Sequence, residues 1–347
     1  MKTSNERNSL YEMPNSASEK HLDKNPLVTC ILITYNQSCF VNSAIDGLLE
    51  QDYNNIEIII SDDASTDDTQ ATIIKHLESY GGPSNIRLNL NKINMGISKH
   101  VRYLHKMAKG NIIVHAAGDD ISKPNRVTKI VNAFISQNHP SMVISNATKI
   151  DRTGNLIGPL VEKTPKIMFE KAQNIMQTIL PFNGCTAAIS RKLIDVFDDP
   201  IDGLFAEDVV LTRRAHLLNG ILYLPECLVE YRVHSGSISN FNKDSYLEKI
   251  NYDRKITTEI LLALDQFIID ARMIGYSISE DEKIIFHSQK ILNKLALKII
   301  EKSIIFVIQP LVLGLIISGR NIRYKKRLLS IVFAKIMLTC NKNIHVR

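Results

Sequence analysis

The chain has 347 residues, which at about 150 residues per domain suggests two domains. Apolar residues make up 44% and charged residues 22%, enough for a core, and this excludes collagen-like and wholly disordered chains. The net charge is +6, but eight Lys/Arg and no acid fall between Arg320 and the C-terminus, so the body is slightly acidic and lacks the basic excess of a nucleic-acid binder.

Residues 1–25 are polar and aperiodic and suggest a flexible arm, with no apolar stretch of the signal-peptide kind. Leu27 to Thr34 (LVTCILIT) is a β-branched apolar run, as in a strand buried on both faces. Residues 38–51 place Val41, Ala44, Ile45, Leu48 and Leu49 at helical spacing. Ile56–Ile60 (IEIII) is a second buried strand, so the unit is β-α-β with parallel strands. Ser65 to Ser79 is expected to be a helix capped by Ser65, with Asp68 three residues on. A strand at 86–90, a helix at 97–109 closed by Gly110, and a strand at 112–116 follow. Pro124 suits the first turn of a further helix.

The pattern changes after about residue 140. Strands are expected at 142–146, 187–190, 222–224 and 228–233, with a helix at 209–219 ending at Gly220. From about 245 onward the chain is almost entirely helical, which places a boundary near 240. The five cysteines are scattered and contain no C-x-x-C, so neither a disulfide framework nor a zinc knuckle is indicated and a reducing compartment fits.

Three acidic pairs sit at turning points. Asp62 and Asp63 follow the second strand, Asp119 and Asp120 follow the strand at 112–116, and Glu207 and Asp208 precede a helix. Ligands of open parallel sheets gather outside the carboxyl ends of strands, so the first two pairs should approach each other in space. Asp62 and Asp63 have two readings, a plain turn or a contact with ribose hydroxyls and a base N–H. The first strand–helix turn, Tyr35-Asn36-Gln37-Ser38, has neither G-x-G-x-x-G nor a Walker lysine, which disfavours nicotinamide and P-loop sites. Asp119 and Asp120 form either a solvated turn or a site for a hard divalent ion shared with phosphates. Glu207 and Asp208 either complement a helix dipole or supply a general base. His234, at the end of a short strand, is either structural or a metal or phosphate contact.

Together these pieces resemble a bacterial family 2 glycosyltransferase of the GT-A fold. The matching stretches are VTCILITYN at 28–36, SDDASTDDT at 61–69, NMG at 94–96, GDDISKPNR at 118–126, AED at 206–208 and YRVHSGS at 231–237. The resemblance implies an α/β architecture with a mostly parallel sheet flanked by helices, a transferase domain over 26–240 and a helical C-terminal region over 241–347. It implies nucleotide contacts at Thr34, Tyr35, Asn36, Asp62, Asp63 and Asp119. A divalent metal, Mn²⁺ or Mg²⁺, would sit on Asp119, Asp120 and His234, although the family's usual D-x-D has its first Asp replaced by Ala117. Asp208 falls on the catalytic base with Glu207 beside it, and Arg126 and Arg232 support these groups. The implied reaction moves a sugar from a nucleoside-diphosphate donor, such as a UDP-sugar, to a hydroxyl of a glycan or lipid-linked glycan with inversion. Cell-surface glycan precursors such as O-antigen units are the implied acceptors. A non-catalytic sugar-nucleotide scaffold and transfer to a polyprenyl phosphate are the alternatives.

Ser303–Gly319 carries no charge but is only 17 residues long and contains Pro310, at the lower limit for a spanning helix. The basic block 320–327 follows directly. Lys and Arg beside an apolar segment attract anionic headgroups, so peripheral attachment to the cytoplasmic face of the membrane is expected.

Overall fold

The computed structural model describes residues 23–82, 85–136, 139–162, 169–170, 183–201, 204, 207–234 and 246–301. The N-terminal arm up to residue 22, the apolar segment 303–319 and the basic block 320–327 lie outside the described residues.

One mixed sheet organises the protein. Its first half is parallel, in the order β3 (Ile86–Leu90), β2 (Ile56–Asp62), β1 (Val28–Thr34), β4 (Ile112–Ala117). β1 is central because it is apolar on both faces: Cys30 and Leu32 enter one core, Ile31 the other, all fully buried. Each such aliphatic side chain contributes about 1.5–3 kcal/mol of burial.

Beyond β4 the order continues with β9 (Ala187–Ser190), β6 (Met142–Ile150), β10 (Ile221–Arg232) and β5 (Ile121–Ser122). β7 (Leu156–Pro159) adds to β6 and β8 (Phe169–Glu170) to β10. In this half the long β6–β10 pairing is parallel, and antiparallel strands are added around it. β9 is antiparallel to both β4 and β6, entering from a 3-10 turn at Gly184–Thr186 rather than from a crossover helix. The two short strands expected at 222–224 and 228–233 are one strand, β10. Irregularities between Leu224, Cys227 and Val229 absorb Pro225, which cannot donate a ladder hydrogen bond.

Helices cover both faces. α1 (Val41–Leu49), α2 (Thr69–Glu78) and α4 (Arg126–Ser136) close one core with Ile45, Leu48, Ile73, Ile130 and Phe134. α3 (Ile97–Met107), α5 (Lys192–Asp195), α6 (Glu207–Leu217), α7 (Tyr246–Met273) and α8 (Glu280–Glu301) close the other, where Leu264, Phe267 and Phe286 pack with Leu104, Leu211 and Tyr223. The C-terminal helices thus share a core with the sheet. α2 begins four residues later than expected. Ser65 does not cap it, because Ser65 N and Oγ both donate to the carboxylate of Asp62.

Candidate functional site

The register of the parallel half fixes the site. Thr34 pairs with Asp62 and Ile33 with Ala117, so β1, β2 and β4 end at one level. The chain leaves each strand into a loop that carries the candidate residues, and backbone bonds join the loops: Asp63 N to Thr34 O and Gly118 N to Ile33 O, both 3.0 Å. Gly118 is required there, because a Cβ would stand 2.7 Å from Thr34 Cγ2 and collide with Gln37. Ala64, at φ +58°, adopts the left-handed region that side chains disfavour, and so turns the loop sharply after Asp63.

The first acidic pair is braced rather than presented. Asp62 is wholly buried, and four donors fill its carboxylate. Ser65 N (2.8 Å) and Gln70 Nε2 (2.7 Å) reach Oδ1; Thr34 Oγ1 (3.0 Å) and Ser65 Oγ reach Oδ2. A nucleotide contact by Asp62 or the buried Thr34 would require those bonds to break. Asp63 accepts from Asn91 Nδ2 (2.8 Å), Met95 N (2.9 Å) and Gly96 N (2.9 Å), which ties the end of β2 to the start of α3. Tyr35 and Asn36 stay exposed at the loop's rim, where the Asn36 side chain accepts from Thr66 N at 2.8 Å.

The second pair is divided. Asp119 Oδ2 lies 3.1 Å from His234 Nε2, both side chains mostly buried. Asp120 turns the other way. Its Oδ1 accepts from Arg232 N at 2.8 Å and its carboxyl takes the Cys185 thiol, so it is a brace and not a partner of that pair. Burial, then the charge of Asp119, pushes Asp120 up to about 7. As a fit for a divalent ion, Asp119 and His234 supply one carboxylate oxygen and one imidazole nitrogen. Among the described residues no set of three His, Cys, Asp or Glu converges as ligands. Two protein donors suit an ion whose other ligands come from a diphosphate and water.

Arg232 locks this corner. Its Nε donates to Asp119 O (2.9 Å) and its Nη1 to Asp151 O (3.2 Å) and Arg152 O (3.1 Å), so one buried guanidinium joins the β4–β5 turn, the β6–β7 hairpin and the end of β10. Arg126, equally buried, donates to Ser122 Oγ, His115 O and Cys185 O at 2.6–2.8 Å. Sequence reasoning missed Phe40. Its ring centroid lies 4.8 Å from that of His234, and the guanidinium carbons of Arg232 and Arg152 lie 5.0 and 5.7 Å from it. No local pattern marks a phenylalanine that faces a histidine almost two hundred residues away. Cys185 was also missed as a functional neighbour, for the same reason.

The third pair reaches this corner through Cys185. The next residue back, Gly184, has its Cβ position 3.7 Å from Glu207 Oε1, and Cys185 touches Asp120. Glu207 and Asp208 open α6, and Asp208 Oδ1 accepts from Val209 N at 2.8 Å. Burial, then the charge of Asp208, pushes Glu207 up to about 8; burial also raises Asp208.

Comparison with known proteins identifies the family. The family model described as "Glycosyl transferase family 2" matches residues 29–197. A Haemophilus influenzae protein named as an uncharacterized glycosyltransferase is 32% identical over 254 residues, covering 70% of this chain and 97% of that protein. A second from the same organism, similarly named, is 27% identical over 274 residues, covering 68% and 79%. Among solved structures, residues 1–349 of S. aureus TarS in complex with UDP-GlcNAc align at a TM-score of 0.52 and 18% identity, covering 91% of this chain and 92% of that one. That likeness is one of fold, the GT-A fold.

Proposed function

The chain belongs to glycosyl transferase family 2, and from that membership we propose that it transfers a sugar from a nucleoside-diphosphate donor to an acceptor hydroxyl with inversion, Asp208 serving as the base. The acceptor oxygen attacks the anomeric carbon and its proton passes to Asp208. The bond from that carbon to the diphosphate oxygen breaks, and the electron pair leaves with the diphosphate. Glu207, raised by burial and then by the charge of Asp208 to about 8, keeps its proton at neutral pH and so does not compete with Asp208 as the base. Tyr35 and Asn36 border the nucleotide, while Asp62 and Asp63 hold the edge against which it lies. Asp119 and His234 are the residues that would hold a divalent ion, whose charge would stabilise the departing diphosphate.

One observation carries this reading. Loops from the ends of β1, β2 and β4 meet at one level, and Asp119 and His234 face each other there at 3.1 Å. UDP is the nucleotide to try first, since the TarS structure of the same fold was solved with UDP-GlcNAc. Attachment to the inner face of the membrane through the apolar stretch and basic block after residue 302 belongs to the same proposal, and release from membranes by high salt would support it.

The experiment is a panel of UDP- and GDP-sugars, titrated with and without Mn²⁺ and assayed for sugar release. Asp208→Ala should slow release at least about 10²-fold while leaving donor binding intact. No binding of any donor at millimolar concentration would end the proposal.

A further inference from the structure

We infer that Arg152, in the turn between β6 and β7, binds the diphosphate of the donor. The inference rests on the reading of the Asp119–His234 corner as the donor site, and one phenyl ring carries it. The Phe40 ring centroid lies 4.8 Å from that of His234, whose Nε2 stands 3.1 Å from Asp119 Oδ2. The guanidinium carbon of Arg152 lies 5.7 Å from the same Phe40 centroid. A cation of the hairpin and the histidine of the corner therefore lie against one half-buried ring, which the loop after β1 supplies.

The hairpin is fixed in that place. Arg232 Nη1 donates to Arg152 O at 3.1 Å and its Nε to Asp119 O at 2.9 Å, so a single guanidinium ties the backbone of Arg152 to that of Asp119. The acid next to Arg152 is already engaged. Asp151 Oδ1 accepts from Thr153 N (2.8 Å), Thr153 Oγ1 (2.7 Å) and Asn155 N (2.9 Å), and Oδ2 accepts from Asn155 Nδ2 (3.0 Å). Among the described residues the exposed Arg152 side chain has no carboxylate partner. An exposed contact between a guanidinium and a ring gains little and costs a long side chain its rotamer freedom. Packing alone thus gives no reason for an arginine at this turn, whereas an anion arriving at the corner does.

A diphosphate suits the arrangement. The planar guanidinium forks onto two phosphate oxygens at once. The electron pair that leaves the anomeric carbon ends on the diphosphate, and a positive charge already in place beside it stabilises that charge as it develops. Ala117 gives this added weight. With no acid at that position, Asp119 and His234 offer an ion only two donors, and Arg152 brings positive charge that belongs to the chain itself.

The test is calorimetric titration of the full-length protein with UDP and with uridine, both at saturating Mn²⁺. Arg152→Ala should bind UDP at least about 10-fold more weakly and uridine as tightly as wild type does. It should melt with the wild type, because the side chain is exposed. Unchanged UDP affinity overturns the inference. Equal losses for UDP and uridine overturn it too, and with a lower melting temperature they assign Arg152 to holding the hairpin. A wild-type protein that binds neither ligand is a different failure: the donor-site reading itself falls, and the inference with it.

Discussion

Asp63→Asn separates two roles that one carboxylate could play at this site. If Asp63 serves chiefly as a nucleotide contact, the substitution costs binding and leaves the fold alone. The structure predicts otherwise. Oδ1 takes Asn91 Nδ2 and Met95 N at 2.8 and 2.9 Å, and Oδ2 takes Gly96 N at 2.9 Å. An asparagine keeps only one acceptor oxygen. With that oxygen in the Oδ1 position, its NH₂ group confronts Gly96 N–H, donor against donor. One charge-assisted bond is lost, at about 1.5–3 kcal/mol, while Gly96 N keeps Asn94 Oδ1 as an acceptor at 2.9 Å. A cost near 2 kcal/mol is expected. With an unfolding entropy of roughly 2.1 cal/mol/K per residue, a cooperative chain of 347 residues should then melt about 3 °C lower. Differential scanning fluorimetry measures the shift, and calorimetric titration with UDP measures binding alongside it. A variant that loses UDP binding but melts with the wild type would refute the brace.

Glu207→Gln bears on the proton held at the start of α6. Glu207 is raised in the fold to about 8, so between its unfolded value and that pH the native state binds the extra proton and stability falls as pH rises. The variant should therefore melt higher than wild type at pH 8, with the gain vanishing below about pH 4. The interior pair His105 and His115, Nε2 to Nε2 at 2.9 Å, is depressed by burial, His115 to about 3. The unfolded chain takes up protons there that the fold refuses, so stability is full above about pH 6.5 and declines as pH falls toward 3. His115→Phe should flatten that decline, measured as the urea midpoint at pH 7 against pH 5. His234→Ala should abolish any strengthening of UDP binding by Mn²⁺, and Asp120→Asn should retain most of it; equal losses would return Asp120 to the ligand set. Arg232→Lys should lower the melting temperature by several degrees, because one ammonium cannot span the carbonyls of Asp119, Asp151 and Arg152.

What was legible in the sequence was whatever depends on neighbours in the chain. The parallel half of the sheet could be read because strands buried on both faces are continuous β-branched runs, and LVTCILIT and IEIII admit few other structures. That β1, β2 and β4 end at one level followed from that topology alone. The failures came where a residue's partner is distant. Ser65 has the chemistry of a helix cap, but the buried Asp62 carboxylate competes for it, and Asp62 wins by offering charge in a dry setting. The antiparallel β9 was identified as a strand but not oriented, since four residues carry no direction.

The adjacent acids show the limit most clearly. D-D at 119–120 looks like two equivalent ligands, yet successive residues leave a turn in different directions. One faces His234, and the other is fixed by Arg232 N and the Cys185 thiol. The two are not interchangeable, and no spacing rule could have said which faced the histidine. The brace also has a use. Two adjacent carboxylates left open would repel each other across the turn, whereas binding one of them to backbone N–H leaves the other as a single, directed charge. The missing first acid at Ala117 then matters less than the motif suggests. What keeps the corner in shape is the set of bonds on Asp120, Arg232 and Gly118, and those are present in full.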